Sequence, residues 1–261
     1  MNPSRLPPEL SIVIPAFNEE ERLPKTLCEL GSSVLEKILP AGLEVIVVDD
    51  GSCDGTKTIR PPADQPVWKE INFRMISVPH GGKGFAVREG LKQAEGKWVL
   101  ISDADLSTSF AMYPVLREAA IDGAIASRGL KDSKITVRQP GMRHELGRSF
   151  NAFVRLLTGL EFFDTQCGFK LLRKDAARVA AKYMTLPGFA FDVEMLMILK
   201  RTVFEMVEVP VEWAHMEDSR VRAFSDGLRM GWAVLKLRFQ FLMGKHPVCR
   251  LTTSQTKSKN S

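Results

Sequence analysis

The sequence of 261 residues predicts an α/β protein with a mixed, mainly parallel sheet and helices on both faces of the sheet. Short apolar runs alternate along the chain with longer segments whose apolar residues recur at helical spacing. This alternation is typical of strands joined by crossover helices. The predicted strands are almost continuously apolar, as expected where helices cover both faces of a parallel sheet. With 44% hydrophobic residues, the chain can bury a substantial core.

The first half of the chain contains five predicted strands. They lie in the segments SIVIP, LEVIVVDD, FRMISVPH, KWVLISDADLS and GAIASRGL. The segment after the first strand repeats leucine at helical spacing and predicts a helix, with Asn18 as its cap. A second helix is expected to begin at Asp54 or Thr56, and a third follows the glycine-rich loop HGGKG.

The second half predicts a helix from about 141 to 158 and then a strand and a helix in GFKLLRKDAARVAAKYM. An apolar helix follows in FAFDVEMLMILKRT, and an edge-like strand in VFEMVEVPVEW. Near the end of the chain, large apolar residues share one helical stripe. They are Phe224, Leu228, Trp232, Leu235, Phe239 and Leu242. The stripe fits a helix in a membrane interface, a helix docked on its own domain, or a dimer contact.

Composition narrows the function classes. The net charge of +5 permits an anionic partner, but the basic residues are not interleaved with exposed aromatics, so nucleic acid is a weak candidate. The four cysteines form no C-x-x-C pair and show no zinc-ligand spacing, which predicts reduced thiols. We see neither a signal peptide nor an apolar stretch of membrane-spanning length, so the expected location is cytoplasmic, with peripheral membrane contact left open.

Three predicted strands end in polar signatures: PAFNEE, VVDDGS and ISDADLS. In an open parallel sheet, ligands bind beyond the carboxyl ends of the strands, so these loops predict one crevice. Asp103 and Asp105 repel each other unless a cation offsets their charge, and Mg²⁺ or Mn²⁺ bridging to a diphosphate would do so. Alternatively, one aspartate caps a helix and the other is solvated. The loop HGGKG is not a P-loop, yet Lys83 could pair with a phosphate; a flexible helix-entry turn is equally compatible.

The segments SIVIPAFNEEERL, VIVVDDGSCDGT, GKGFAVREGL and WVLISDADLST resemble the inverting glycosyltransferases of family 2. The resemblance implies a Rossmann-like GT-A fold that uses a nucleoside-diphosphate sugar and a divalent cation. Further segments, including VRQPGMRHELGRSFN, DTQCGFKLL and FAFDVEML, are similar to the dolichyl-phosphate β-glucosyltransferases and, more loosely, to the dolichyl-phosphate mannose synthases. The implied division is an N-terminal extension (1–9), a GT-A domain (10–223), an amphipathic helix (224–247) and a disordered tail (248–261).

The resemblance also implies roles by position. The expected nucleotide-sugar contacts are Pro15, Ala16, Asn18, Glu19, Asp49, Asp50, Lys83 and Asp103. The metal ligands would be Asp103 and Asp105, and Ser107 falls where the mannose synthases carry glutamine. The residues expected to act in catalysis are Asp105, Arg128, Arg138 and Asp192. The residues expected near the acceptor phosphate are Arg138, Gln139, Arg143, Arg148, Asp164, Gln166, Ser219, Arg220 and Arg222.

The implied reaction moves a hexose, with glucose from uridine diphosphate glucose favoured, to a polyprenyl phosphate of the dolichyl type in a single displacement. Arginines suit a phosphate acceptor because a guanidinium forks onto phosphate oxygens. A sugar hydroxyl acceptor would instead need a base, for which Asp192 and Glu194 are the candidates. A sugar-nucleotide-binding protein without catalysis is the alternative from another class. A nucleotidyltransferase is disfavoured, since PAFNEEERL is not its G-x-G-x-R type of loop.

Overall fold

A computed structural model of the protein describes residues 7–137, 141–214 and 223–251. Over these residues, seven strands form the main sheet in the order β3-β2-β1-β4-β7-β5-β8, and β6 pairs with β9 in a small second sheet. The strands of the main sheet are β1 (Leu10–Ala16), β2 (Leu43–Asp49), β3 (Asn72–Ser77), β4 (Trp98–Ile101), β5 (Gly123–Ser127), β7 (Lys170–Arg173) and β8 (Met206–Pro210). The second sheet joins β6 (Lys134–Val137) to β9 (Glu212–Ala214).

The main sheet is parallel except at β7, which runs antiparallel to both β4 and β5. The prediction of a mixed, mainly parallel sheet is therefore confirmed. The carboxyl ends of β2, β1 and β4 are neighbours at one edge of the sheet because these strands are adjacent and parallel. The strand predicted in VFEMVEVPVEW divides into β8, at the edge of the main sheet, and β9.

Helices cover both faces of the sheet, as predicted. The described helices are α1 (Leu23–Leu35), α2 (Lys83–Gln93), α3 (Tyr113–Ala119), α4 (Gly141–Thr158), α5 (Lys174–Tyr183), α6 (Phe191–Arg201) and α7 (Ala223–Leu242). Apolar residues of α1 and α3 pack on one face of the sheet, and those of α2, α5 and α6 pack on the other. A third cluster joins α4, α6 and α7 beside β5.

Three local predictions are wrong. Asn18 does not cap α1, because the helix begins only at Leu23 and Asn18 adopts a left-handed backbone conformation with φ of 53°. The helix expected from Asp54 or Thr56 is a single 3₁₀ turn, Gly55–Thr58, in which the Asp54 side chain accepts from the Thr56 amide.

The third correction concerns the C-terminus. The tail expected to be disordered from 248 begins instead with a 3₁₀ turn, Pro247–Arg250, and the side chain of Val248 is fully buried. The amphipathic helix ends at Leu242. None of the described helices combines the length and apolar character that crossing a membrane requires.

Candidate active site

The loops after β1, β2 and β3 are tied together by hydrogen bonds and one ring contact. The amide of Asn18 donates to Ser52 Oγ at 2.8 Å, and Asn18 Oδ1 accepts from the amide of Cys53 at 2.8 Å. The ring of Phe17 stacks on that of His80, with 4.4 Å between centroids. The structure thus brings these strand ends together, and part of the polar side chain of Asn18 is committed to holding them.

Asp50, at the end of β2, holds the glycine-rich loop. Its two carboxylate oxygens accept from the amides of Gly81 and Gly82, each at 2.8 Å, and His80 Nδ1 lies 2.9 Å from Oδ2. Gly82 has a φ of 101°, a conformation that favours glycine. Asp49 Oδ1 accepts from the amide of Ser52 at 3.1 Å. Both aspartates are almost fully buried, so they shape the crevice from beneath.

A cavity of about 460 Å³ opens beside the first two loops. Its lining residues belong to the loop between β1 and α1 and to the loop after β2, and are mainly acidic. They are Asn18, Glu19, Glu20, Glu21, Arg22, Cys53 and Asp54. The Glu19 carboxylate pairs with Arg22 at 2.5 Å. Pro15 and Ala16 are buried at the end of β1, and the carbonyl of Ala16 accepts from the Asp50 amide at 2.8 Å.

Asp103 follows β4 and faces a lysine. Lys83 Nζ lies 2.6 Å from Asp103 Oδ1, and among the described residues this oxygen has no hydrogen bond apart from that ion pair. Burial alone would raise the pKa of Asp103, but the charge of Lys83 lowers it below the ordinary value. Burial would likewise lower the pKa of Lys83, yet Asp103 and Asp192 raise it above its usual range. Both groups are therefore ionised at neutral pH.

Gly168 lies directly against the Asp103 carboxylate. A Cβ atom added at Gly168 would lie 2.0 Å from Asp103 Oδ2 and 2.4 Å from its Cγ. No side chain can occupy that space unless the carboxylate moves. The loop before β7 thus contributes to the position of Asp103 through the absence of a side chain.

Asp105 is partly exposed, and its Oδ1 accepts from the Ser107 amide at 3.0 Å. Ser107 therefore contacts Asp105 through its backbone. The described residues contain no cluster of three or more His, Cys, Asp or Glu side chains arranged to hold a metal. Two carboxylates nevertheless fit Mg²⁺ or Mn²⁺, since such ions commonly take one or two carboxylates and complete their shell with phosphate oxygens and water. The oxygen of Asp103 that faces only Lys83 agrees with this donor set.

Arg128, expected to act in catalysis, is paired with Asp164. Its Nε and Nη2 lie 2.6 and 2.9 Å from the two carboxylate oxygens, and its guanidinium lies 5.3 Å from the ring centroid of Trp213. Burial would raise the pKa of Asp164, but Arg128 lowers it. Asp164 was expected to line the acceptor side; the structure shows that its carboxylate holds Arg128 in place.

Asp192 and Glu194, the candidate bases, are both buried on the first turn of α6. Asp192 Oδ1 is 2.5 Å from Nζ of Lys170, a lysine whose side chain is fully buried. Burial raises the pKa of Asp192, and the charge of Lys170 only partly offsets this. The Glu194 carboxylate accepts two backbone N–H groups and the hydroxyl of Thr185. Neither carboxylate is open to solvent as a base.

Six ionisable side chains form one charge cluster beneath the crevice, with three acids and three cations. They are Asp103, Asp164, Asp192, Lys83, Arg128 and Lys170. The ion pairs are coupled, because Lys170 and Arg128 also lower the pKa of Asp103. The pairs cancel in formal charge, and among the described residues no ion pair balances the additional negative charge of Asp105. This balance favours a cation near Asp105.

Several predicted acceptor residues lie outside the described part of the chain. They are Arg138, Gln139, Ser219, Arg220 and Arg222. Arg143 lies in α4 with its side chain not described, and Arg148 is exposed on the same helix. The side-chain amide of Gln166 lies 3.9 Å from Met230 Sδ on α7, which joins the loop before β7 to the C-terminal helix.

Sequence reasoning missed Phe17, His80, Gly168 and Lys170. The first two are single aromatic residues in loops, and no spacing marks them as a stacked pair. Lys170 follows a glycine and an apolar residue in CGFKLL, where a lysine in a predicted buried strand was an available signal for a buried ion pair. Gly168 could be found only from the position of Asp103.

The pattern of Glycosyl transferase family 2 matches residues 11–179. The chain belongs to this family. It is 31% identical over 249 residues to a dolichyl-phosphate beta-glucosyltransferase of Dictyostelium discoideum, covering 90% of this chain and 75% of that protein. It is 34% identical over 251 residues to the human protein of that name, covering 90% and 76%.

Among solved structures, the chain is similar to a glucosyl-3-phosphoglycerate synthase of Mycobacterium tuberculosis in complex with Mn²⁺, uridine-diphosphate-glucose and phosphoglyceric acid. The TM-score is 0.63 at 19% identity, covering 88% of this chain and 79% of that one. At this identity the likeness concerns the fold, which is that of a GT-A glycosyltransferase.

Proposed function

We propose that the protein transfers glucose from uridine diphosphate glucose to a polyprenyl phosphate of the dolichyl type, with inversion at the anomeric carbon. The observation that carries the proposal is the arrangement at the carboxyl end of β4, where Lys83 pairs with Asp103 and Asp105 follows two residues later, next to the parallel strands β1 and β2. Membership of family 2 supports the reaction class. The names of the relatives support the sugar and the lipid acceptor.

A divalent metal fits the donor side of this site. Asp105 and Asp103 would hold it, and when bound it supplies positive charge to the leaving diphosphate. Structures similar in fold contain Mn²⁺ or Mg²⁺ with uridine diphosphate, which supports the choice of ion. Among the described residues, Lys83 is the cation paired with Asp103, so it can turn from the carboxylate to a phosphate oxygen when ligand enters.

The buried candidate bases support a phosphate acceptor. A sugar hydroxyl must lose a proton during attack, whereas a phosphate monoester is already ionised near neutral pH. Asp192 is bound to Lys170, and Glu194 receives hydrogen bonds from Thr185 and Leu186. With neither acid exposed, the site is suited to binding and orienting an acceptor that needs no deprotonation.

The direct test is a transfer assay with radiolabelled uridine diphosphate glucose and dolichyl phosphate in detergent. We expect label in the lipid fraction, dependent on Mn²⁺ or Mg²⁺, and none when dolichol without phosphate replaces dolichyl phosphate. A parallel assay with 3-phosphoglycerate tests a soluble phosphate acceptor. Transfer to this compound alone would overturn the lipid acceptor but keep the reaction class. Binding of uridine diphosphate without transfer to any acceptor would favour a non-catalytic binding protein.

We further propose that α7 places the enzyme against the cytoplasmic face of an anionic membrane. Its inner face packs against α4 and α6, while the outer stripe is exposed to solvent. The relative exposure of Trp232 in this stripe is 72%. The exposed apolar residues of the outer stripe are Leu228, Trp232, Leu235, Phe239 and Leu242. Residues 227–251 contain five Lys or Arg and no Asp or Glu. An apolar stripe flanked by cations suits an interfacial helix on anionic lipid.

Vesicle sedimentation tests this surface. We expect the full chain to pellet with vesicles containing phosphatidylglycerol and to remain in the supernatant with pure phosphatidylcholine. The double variant Trp232→Ser/Phe239→Ser should lose binding. Ile121→Ser, which also removes an exposed apolar side chain but lies outside the stripe, should keep it. If the wild-type chain ignores anionic vesicles and forms a dimer that the double variant breaks, the stripe is a dimer contact instead.

A further inference from the structure

The chain turns back after α7 and buries a histidine. His246 is 1% exposed, its Nδ1 accepts from the Val248 amide at 3.3 Å, and its ring stacks on Phe241 with 4.3 Å between centroids. Its Nε2 lies 3.0 Å from Glu194 Oε1. Because Nδ1 accepts a hydrogen bond, Nε2 carries the proton and donates it to Glu194. The residue therefore bonds on both sides of its ring and joins the C-terminal turn to α6.

Glu194 in turn is hydrogen-bonded to the turn between α5 and α6. Its fully buried carboxylate accepts from the Thr185 amide at 2.9 Å, the Thr185 hydroxyl at 2.6 Å and the Leu186 amide at 2.8 Å. A buried carboxylate is stable only when such donors surround it. Removing the donor from His246 would leave an oxygen of this carboxylate less satisfied, and the turn that it holds would shift.

The same turn supports the loop that carries Lys83. The carbonyl of Pro187 accepts from the Phe85 amide at 3.1 Å. Contact is close enough that a Cβ atom at Gly82 would lie 2.6 Å from this carbonyl oxygen, and one at Gly84 would lie 2.5 Å from that of Leu186. The backbone of the turn therefore fixes the glycine residues on both sides of Lys83.

We propose that His246 and Glu194 are positioning residues for the donor site. Together they hold the turn of residues 185–187 in place, and this turn holds the glycine-rich loop. The loop in turn positions the Lys83 ammonium next to the Asp103 carboxylate. The connection begins outside the segment matched by the family pattern, which ends at 179. It also begins immediately after α7, so the position of this helix and the geometry of the donor site are linked. The proposal rests on the donor side of the proposed function and not on the identity of the acceptor.

Hydrogen–deuterium exchange of the unliganded protein tests the connection without any substrate. His246→Ala should speed exchange of the Phe85 amide about tenfold, the loss expected for a hydrogen bond to a charged group. Val248→Ala is the matched control, because Val248 lies in the same turn, is fully buried and donates only through its backbone. His246→Gln, which keeps an N–H donor, should restore slow exchange. Equal acceleration in the alanine variants, or no difference between His246→Ala and His246→Gln, would overturn the proposal.

Binding of uridine diphosphate with Mn²⁺, measured by calorimetry, gives the functional readout. We expect His246→Ala to raise the Kd about tenfold and Val248→Ala to leave it unchanged, even if both lower the melting temperature. In a Lys83→Ala background, His246→Ala should have little further effect, because the connection acts through Lys83. Additive effects would exclude that route. Failure of the wild-type chain to bind uridine diphosphate would reject the proposed donor, while the exchange experiment would still decide the role of His246.

Discussion

The loops after β2 and β4 both place two acids at the end of a buried strand, yet their carboxylates have different surroundings. At the end of β2, Asp49 and Asp50 are 1% and 2% exposed and accept hydrogen bonds from backbone amides. After β4, Asp103 faces the ammonium of Lys83 and Asp105 is partly exposed. Acids at neighbouring strand ends therefore differ in their partners: Asp49 and Asp50 are bound by backbone amides, whereas Asp103 faces a lysine side chain.

The partners explain the division. A backbone amide is fixed by the fold, so Asp50 cannot leave Gly81 and Gly82 without disturbing the glycine-rich loop. A lysine has a flexible stem, so Lys83 can exchange Asp103 for another anion at small cost. Exposure separates the two pairs as well, but the ease of exchange depends on what each carboxylate contacts.

The largest effect is expected for Asp105→Asn. Turnover should fall by about a hundredfold or more, because the site loses the charge that balances a divalent ion near the leaving group. The free energy of unfolding should remain close to that of the wild-type chain, since the carboxylate is partly exposed and the oxygen of an asparagine side chain can also accept the hydrogen bond from the Ser107 amide. Transfer assays and urea unfolding measure the two quantities. A variant that unfolds easily but turns over normally would reverse the roles assigned to the two loops.

Gly168→Ala should have the next largest effect. The new methyl group would lie 2.0 Å from an oxygen of Asp103, so the carboxylate must move away from its present position. We expect turnover to fall about tenfold to a hundredfold, as for a displacement of roughly 1 Å in an active site. Gly231→Ala in α7, where nothing lies within 4 Å of the added atom, is the control and should keep full turnover. Normal turnover in Gly168→Ala would mean that the position of Asp103 is not critical.

Much of the fold was predictable because apolar periodicity depends on local sequence. The strands ending at Ala16, Asp49 and Ile101 and the helix over 141–158 follow from that signal. The position of β7 was not predictable in the same way, since an antiparallel insertion between β4 and β5 depends on pairing across the sheet.

The same distinction between local sequence and long-range contacts applies to the candidate site. Sequence reasoning identified Asp103 and Lys83 as site residues but could not show that they pair, because their contact spans two loops. It also proposed Asp192 and Glu194 as bases, although their burial depends on Lys170 and His246, which lie far away in the chain. Residue type and spacing thus indicate which chemistry is available, whereas long-range contacts decide which groups are free to perform it.

Asp164 combines features of both loops, because its carboxylate is fully buried and yet paired with a charged side chain. The variant Asp164→Asn tests this pairing. Turnover should fall about tenfold as Arg128 loses its forked partner, and the free energy of unfolding should drop by about 3 kcal/mol at neutral pH. Arg128 lowers the pKa of Asp164 below its ordinary value of 3.8. A lowered acid pKa gives stability that is present above pH 3.8 and lost as the pH falls through the folded-state value.

The stability difference between wild type and Asp164→Asn should therefore be full at pH 7 and shrink below about pH 4. Urea unfolding at several pH values measures it. A difference that stays constant down to pH 3 would show that the ion pair with Arg128 contributes little. It would also remove the distinction between a buried carboxylate held by charge and one held by amides.

The smallest effect on turnover is expected for Asp50→Asn. The asparagine keeps one oxygen to accept from Gly81 or Gly82, while its amide group would face the other N–H donor. We expect the free energy of unfolding to fall by about 1–3 kcal/mol for the buried unsatisfied donor, and turnover to fall only a few-fold. Asp54→Asn makes the same chemical change at a more exposed position of the same loop and should leave the free energy of unfolding nearly unchanged. If Asp50→Asn instead abolished turnover at unchanged stability, Asp50 would contact the nucleotide directly, and the two loops would share one role.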